Sequence, residues 1–295
     1  MSDNPSHRVL LPIDGSAHAQ RAAEYLANCA GALGIGTIYV LNVQSIEEQA
    51  ALAAGGAGGA PEYEERGRKA TAQARATLDS ARLPNNTVTL LGEPPAVIVR
   101  AAEEEQVDEI VMGSRGLSHL TDVMGSVAYK VIHRARMPVT VVPASGQHTA
   151  TSAAVHRILL AVDGSEHAAR AVRFVCGLKS GAVPLEVHLF NAPLPIPPGY
   201  TRGLLSEDML DNYHREERDK VLNAATAAVK AAGLKLEVHM ISGDAAEKIA
   251  ETAGKLQCTR IVMGTRGLSA VAGLVLGSVA YKVIHLASVP VTLVK

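Results

Sequence analysis

"IVMGTRGLSAVAGLVLGSVAYKVIH", residues 261–285, begins as a short apolar run, breaks into glycine at Gly264, Gly267 and Gly277, and then opens a helix-forming segment. A short apolar run that ends in glycine reads as a buried strand, and the segment after Gly277-Ser278 reads as a helix with its own start signal. Residues 110–133, "IVMGSRGLSHLTDVMGSVAYKVIH", are nearly the same segment, one residue shorter.

Outward from this pair the whole chain is written twice. "HRVLLPIDGSAHAQRA" at 7–22 matches "HRILLAVDGSEHAARA" at 156–171, and "MPVTVV" at 137–142 matches "VPVTLV" at 289–294. The offset is long and nearly constant, which marks duplication of a domain rather than a solenoid period. "PASGQHTATSAA", 143–154, is small and polar and reads as a linker. Two domains follow, 1–144 and 155–295.

Each copy alternates β-rich apolar runs with longer Ala-rich helical patterns. Copy one reads as strands "RVLLPI", "GTIYVLNV", "TVTLLG", "EIVMG" and "VTVVP", with helices over 17–30, 62–81, 96–105 and 126–134. Copy two repeats the order with "RILLAV", "LEVHLFN", "LEVHMISG", "RIVMG" and "VTLV". Strands separated by helices of this length predict a doubly wound α/β domain with a mostly parallel five-stranded sheet, built twice. Two insertions after the second strand, "EEQALAAGGAGGAPEY" and the proline-rich "NAPLPIPPGYTRGLL", occupy equivalent places. The terminal strands "VTVVP" and "VTLV", if they are sheet edges, would lose their exposed donors and acceptors by pairing with one another.

At 295 residues, with 47% apolar and 19% charged residues, the chain fills two ordinary cores, largely with aliphatic side chains, since there are two Phe and no Trp. The formal charge of −1 supplies no basic field for a polyanion, so nucleic acid is not an expected partner. Three cysteines without paired spacing fit a reducing compartment. No apolar stretch is long enough to span a membrane and "MSDNPSHRVLLPIDGS" does not read as a signal peptide, so the expectation is cytoplasmic.

Ligands of such sheets bind beyond the C-terminal strand ends, where Asp14, Asp163 and the glycines stand. In copy two the turn after "RIVMG" lets backbone N–H groups converge on a point suited to anionic oxygens. Gly277-Ser278 adds a helix N-terminus, whose first N–H groups lack internal partners. Asp163 faces the same crevice and suits a ribose or base. Taken singly, each element has an ordinary explanation as a cap or turn; together, at the strand ends, they shift the balance toward a nucleotide site. The pattern is neither a Walker A loop nor the Gly-x-Gly-x-x-Gly fingerprint.

The set "VDGS", "ISGD", "MGTRG", "LGSVAYKVI" and "VPVTLV" resembles the universal stress protein family, in its tandem two-domain form, across both copies. That resemblance implies an adenine nucleotide alpha hydrolase-like fold and ATP binding through Gly-x2-Gly-x9-Gly-Ser/Thr, which copy two fits at Gly264, Gly267, Gly277 and Ser278. It implies that Ala161, Val162 and Asp163 line the adenosine end and that Val262, Met263 and Gly264 border the ribose. Gly267, Gly277, Ser278 and Val279 would face the phosphates. Arg266, inside the Gly-x-x-Gly turn, could reach phosphate oxygens, make an interdomain ion pair, or stand as a solvated surface arginine. Residues 239–243 would lie beside the crevice. In copy one, eight residues rather than nine separate Gly116 from Gly125, which should shift the helix start, and Asp122 brings negative charge. Asp14, Gly113, Gly116, Gly125 and Ser126 therefore form a second, weaker site.

No Ser/His/Asp grouping or opposed carboxylate pair stands at the crevice, so no catalytic residue is assigned. His18, His167, His133 and His285 lack partners at ligand spacing, so no metal site is assigned; His133 and His285 read as helix C-terminal residues. Mg2+ would offset triphosphate charge, although no carboxylate cluster specifies it. The expectation is an ATP-binding, stress-adaptive regulatory module, with protein partners unidentified and two tandem chains pairing into a homodimer. A slow ATP hydrolase and a nucleotide-free interaction module remain the alternatives.

Overall fold

The computed structural model describes residues 7–46, 60–114, 125–144, 155–178, 183–193, 219, 221–268 and 276–295. Most of the linker and of both insertions, together with Arg115, Gly116 and Asp122, lie outside the described residues.

Copy one forms β1 (His7–Pro12), α1 (Ala17–Leu33), β2 (Ile35–Gln44), α2 (Ala60–Ser80), β3 (Asn85–Leu91), α3 (Pro94–Glu104), β4 (Glu109–Gly113), α4 (Ser126–Arg134) and β5 (Val139–Val142). Copy two forms β6 (His156–Ala161), α5 (Glu166–Gly177), β7 (Leu185–Asn191), a helix α6 over residues 221–231, β8 (Lys235–Met240), α7 (Ala245–Lys255), β9 (Arg260–Gly264), α8 (Ser278–Leu286) and β10 (Val291–Val294). Local chemistry sets the helix starts. Ser165 accepts from the Ala168 N–H at 3.2 Å, Asp244 accepts from the N–H groups of Ala246 and Glu247, and α3 opens on proline, which needs no donor there.

Each copy is a parallel five-stranded sheet with its first strand at the centre of the order 3-2-1-4-5. The two join into one ten-stranded sheet, β3-β2-β1-β4-β5-β10-β9-β6-β7-β8. The seam is antiparallel, with Thr140 opposite Thr292 and Val139 opposite Leu293. Thr140 and Thr292 are equivalent residues of the duplication, so a local pseudo-twofold axis passes between them. The terminal strands thus pair as the edge argument anticipates.

Alternation along the strands splits the apolar residues between two layers. Val9, Leu11, Ile158 and Leu160 pack under α1, α2, α5 and α6; Leu10, Ile110, Leu159 and Ile261 pack under α3, α4, α7 and α8. Both layers run through both copies, and each fully buried Leu or Ile contributes about 1.5–3 kcal/mol over its exposed state.

A polar cluster is enclosed at the seam. Glu109 and Arg260, each 1% exposed, form an ion pair between the copies and are themselves equivalent positions. The Thr140 hydroxyl donates to Glu109 and lies 2.7 Å from the Thr292 hydroxyl, while Arg260 Nη2 donates to Thr140 Oγ1 at 2.8 Å. His7 Nε2 reaches Glu109 at 3.1 Å, and the guanidinium lies over the Phe174 ring at 5.4 Å. Burial pushes the Glu109 carboxyl up, but Arg260, His7 and Thr140 more than reverse that and hold it below the usual carboxylate range.

Burial pushes both Cys29 and Cys258 up to about 12, which disfavours their thiolates. His285 bonds the Tyr281 carbonyl at 2.6 Å and tilts against the Tyr281 ring, which fits the reading of this histidine as a helix-end residue. No helix among the described residues is long and apolar enough to cross a membrane.

Candidate functional site

The C-terminal ends of β6, β7 and β9 converge on the N-termini of α5 and α8. After β6 the chain turns through Asp163-Gly164-Ser165, and Gly164 has φ +84, a left-handed conformation that side chains with a Cβ resist. Gly15 repeats it at φ +85 in copy one. The turn lets Asp163 Oδ1 accept from the Ser165 N–H at 2.9 Å, as Asp14 does from Ser16.

Asp163 Oδ2 reaches across the crevice and accepts from the Leu268 N–H at 3.1 Å. A Cβ on Gly267 would lie 2.5 Å from that oxygen, so glycine is required for the approach. Ser165 Oγ donates to the Arg266 carbonyl at 3.3 Å. Asp163 and Ser165 therefore bind the β9 turn to the end of β6, and each carboxylate oxygen retains a second lone pair for a ligand hydroxyl.

On the other side, the Gly277 N–H donates to the Thr265 carbonyl at 2.8 Å, which seats the start of α8 on the same turn. Gly277 is the N-cap, and no side chain caps this helix, so its first N–H groups face the crevice end without a side-chain acceptor. Ser278 and Val279 are exposed there, whereas Ala161 and Val162 are nearly buried. Val262 is 0% exposed and belongs to the core layer with Val162, and Met263 belongs to the opposite layer. Of that stretch, Gly264 reaches the strand end, where it abuts the first turn of α5 at His167.

Several cationic groups gather at this end of the crevice, among them Arg266 and Lys295. Arg266 Nε is buried without a hydrogen-bond partner. Burial, followed by Arg266 and Arg170, holds the His167 pKa below the usual imidazole range, and burial together with Arg266 lowers that of Lys295.

Copy one keeps the same framework. A cavity of about 320 Å³ opens at the ends of β1, β2 and β4, lined by Asp14, Asn42, Gly113, Gly125 and Ser126 with Ile98 of α3 beneath. This is at the low end of the ~300–1,000 Å³ range of small-ligand pockets. Its polar wall has counterparts in Asp163, Asn191, Gly264, Gly277 and Ser278. The loop that is one residue shorter does not displace the helix start: Gly125 N–H donates to the Ser114 carbonyl at 2.8 Å, the bond Gly277 makes to Thr265. This corrects the expectation of a shift. Buried Ala128, Val131 and Ile132 fix α4 on the sheet, so its start does not follow the spacing along the chain. Gly116 lies outside the described residues.

Two crevice residues escape a motif reading. Asn42 Nδ2 donates to the Ile13 carbonyl and Asn191 Nδ2 to the Val162 carbonyl, both at 2.7 Å, closing the end of the first strand in each copy. Their signal is that asparagine recurs at the same point of the second strand.

The pattern of the universal stress protein family matches the sequence over residues 5–143 and 154–295. A universal stress protein of Thermus aquaticus is 36% identical over 47% of this chain and 97% of its own length. One of Synechocystis is 26% identical over 96% of this chain and 98% of its own, so it is similar through both copies. Among solved structures, a universal stress protein from Archaeoglobus fulgidus superposes with a TM-score of 0.65 at 25% identity, covering 98% of this chain and 96% of that one.

Proposed function

The chain belongs to the universal stress protein family, as a member with two such domains in tandem, and from that premise we propose that it is an ATP-binding regulatory module of stress adaptation whose main site is in the C-terminal copy. One observation carries this reading. Asp163 and Gly277, from opposite sides of the crevice, hold the Thr265–Leu268 turn against an uncapped helix N-terminus. Such a turn and helix start favour anionic oxygens, and Arg266 supplies charge beside them. The domains extend over 1–144 and 155–295, with an adenine nucleotide alpha hydrolase-like fold.

In this reading Ala161, Val162 and Asp163 bound the adenosine end, Asp163 takes a ribose hydroxyl on its remaining lone pairs, and Gly267, Gly277, Ser278 and Val279 meet the phosphates. Mg2+ travels with the triphosphate and offsets its charge. Occupancy draws the β9 turn and α8 together and so changes the surface presented to protein partners. The assembly is a cytoplasmic homodimer of tandem chains.

The test is nucleotide release from the purified chain by denaturation and chromatography, followed by calorimetric titration with Mg-ATP. We expect adenine nucleotide in the released fraction or saturable heat at up to one equivalent for the main site. A chain that releases no nucleotide and gives no heat with millimolar Mg-ATP does not have this function.

A further inference from the structure

The β7–β8 edge of the sheet brings His188 together with two side chains of β8 that lie about fifty residues further along the chain. His188 on β7 lies opposite Glu237 on β8, and His239 follows two residues later on the same face of that strand. His188 Nδ1 lies 2.9 Å from His239 Nε2 and 3.5 Å from Glu237 Oε2; the latter two atoms are 3.9 Å apart.

We propose that His188, Glu237 and His239 form a binding site for a divalent first-row metal ion, with Zn2+ as the best fit. A triangle with these sides has a point about 2.0 Å from all three corners, within the ~2.0–2.2 Å range of Zn–N and Zn–O bonds. Two imidazoles and one carboxylate are a borderline-soft donor set that suits zinc rather than Mg2+ or Ca2+. Rigid, paired strands hold the donors, so little ordering is required on binding.

The surroundings are consistent with the assignment. His188 is 4% exposed and fixed in place, whereas the Glu237 side chain is 54% exposed, which leaves a coordination position for water and a path of entry. Glu186, the other carboxylate on this face, is engaged by Arg157 at 3.3 Å and Lys235 at 2.6 Å. Those two cations are therefore directed at Glu186, and Glu237 is the carboxylate that meets the histidines. In copy one the equivalent positions are Tyr39, Asn86 and Val88, which cannot reproduce the set. The site is a property of copy two, and its presence does not depend on the nucleotide reading.

The test uses the full chain stripped with chelator and returned to chelator-free buffer. Zn2+ is titrated in competition with a chromophoric chelator, and Co2+ is added separately to read the visible d–d bands. We expect one tight equivalent per chain and cobalt bands of low-coordinate intensity. Glu237→Gln and His239→Gln, both at partly exposed positions, should each weaken zinc at least tenfold and diminish the cobalt bands. Circular dichroism confirms that the variants fold. Absence of a stoichiometric zinc site in the parent overturns the proposal. So does unchanged affinity in both folded variants, which would place the zinc on other histidines.

Discussion

Replacing Arg260 with methionine is expected to lower the stability of the chain by about 3–5 kcal/mol at neutral pH, because it leaves the Glu109 carboxylate buried without its partner. Chemical denaturation at several pH values checks this. In the parent, the Glu109 carboxyl titrates below its usual range, so the pair contributes stability that is present above an unfolded pKa of ~4.3 and lost as pH falls through the folded value. In Arg260→Met the largest group that lowers the Glu109 pKa is gone, so burial is expected to push the carboxyl up, opposed only by His7 and Thr140. The deficit is then largest at neutral and alkaline pH and shrinks on acidification as Glu109 takes up a proton. The double variant Glu109→Leu/Arg260→Met should recover to within about 1–2 kcal/mol of the parent, since apolar replacement of a whole buried pair is often neutral. The Thr140–Thr292 hydroxyl contact of the parent, at 2.7 Å, needs neither charged residue and should persist there. A single variant within 1 kcal/mol of the parent at pH 7, on the order of experimental scatter plus solvent relaxation, would mean that water reaches the pair.

The same pair bears on how two copies of one domain choose each other. Glu109 and Arg260 occupy the same position of the repeat, one residue outside "IVMG" in each copy. Around the Thr140–Thr292 axis, copy one against copy two brings opposite charges together. Copy one against another copy one would bury two carboxylates, and copy two against copy two would bury two guanidinium groups. Burying like charges is unfavourable, so the duplication carries a device that favours pairing of unlike copies over like ones.

The parts of this arrangement legible in the sequence are those set by local periodicity. "EIVMG", "RIVMG" and "LEVHLFN" are strands over the expected residues, because short apolar runs bounded by turns have few other solutions. Residues 126–134 form a helix where Gly-Ser announces one. Elsewhere the boundaries move by a few residues, as with α2, which begins at Ala60 rather than at Glu62. Asp163 and Gly277 were legible as crevice residues because strand ends and helix starts can be read locally. What was not legible depends on register. His188 and Glu237 become neighbours only when β7 pairs with β8 in one alignment, and Glu109 meets Arg260 only through the seam. The shortened loop of copy one shows the same limit: spacing along the chain does not translate into displacement in space, because packing of α4 fixes the helix start.

Gly277→Val is expected to reduce ATP affinity by at least about tenfold, or 1.4 kcal/mol, while Gly125→Val leaves most of the binding intact. A Cβ at Gly277 would lie 3.4 Å from the Thr265 carbonyl oxygen and 3.5 Å from Arg266 Cα, which is ordinary contact. Alanine should therefore be nearly silent. Valine adds two methyls toward the turn, and relief requires the α8 start to move away from Thr265, breaking the 2.8 Å bond that aligns the two anion-favouring elements. The core face of α8, with buried Ala280, Val283 and Ile284, is untouched, so the melting temperature should change little. Two observations pull in opposite directions over which copy dominates. Copy one has the 320 Å³ cavity, whereas copy two has the nine-residue spacing and lacks the loop aspartate at position 122. A triphosphate is sensitive to fixed negative charge near its oxygens, and a cavity for the adenosine portion does not compensate for that. Calorimetry on the paired valine variants decides between them. If Gly125→Val removes the binding and Gly277→Val does not, the principal site belongs to copy one.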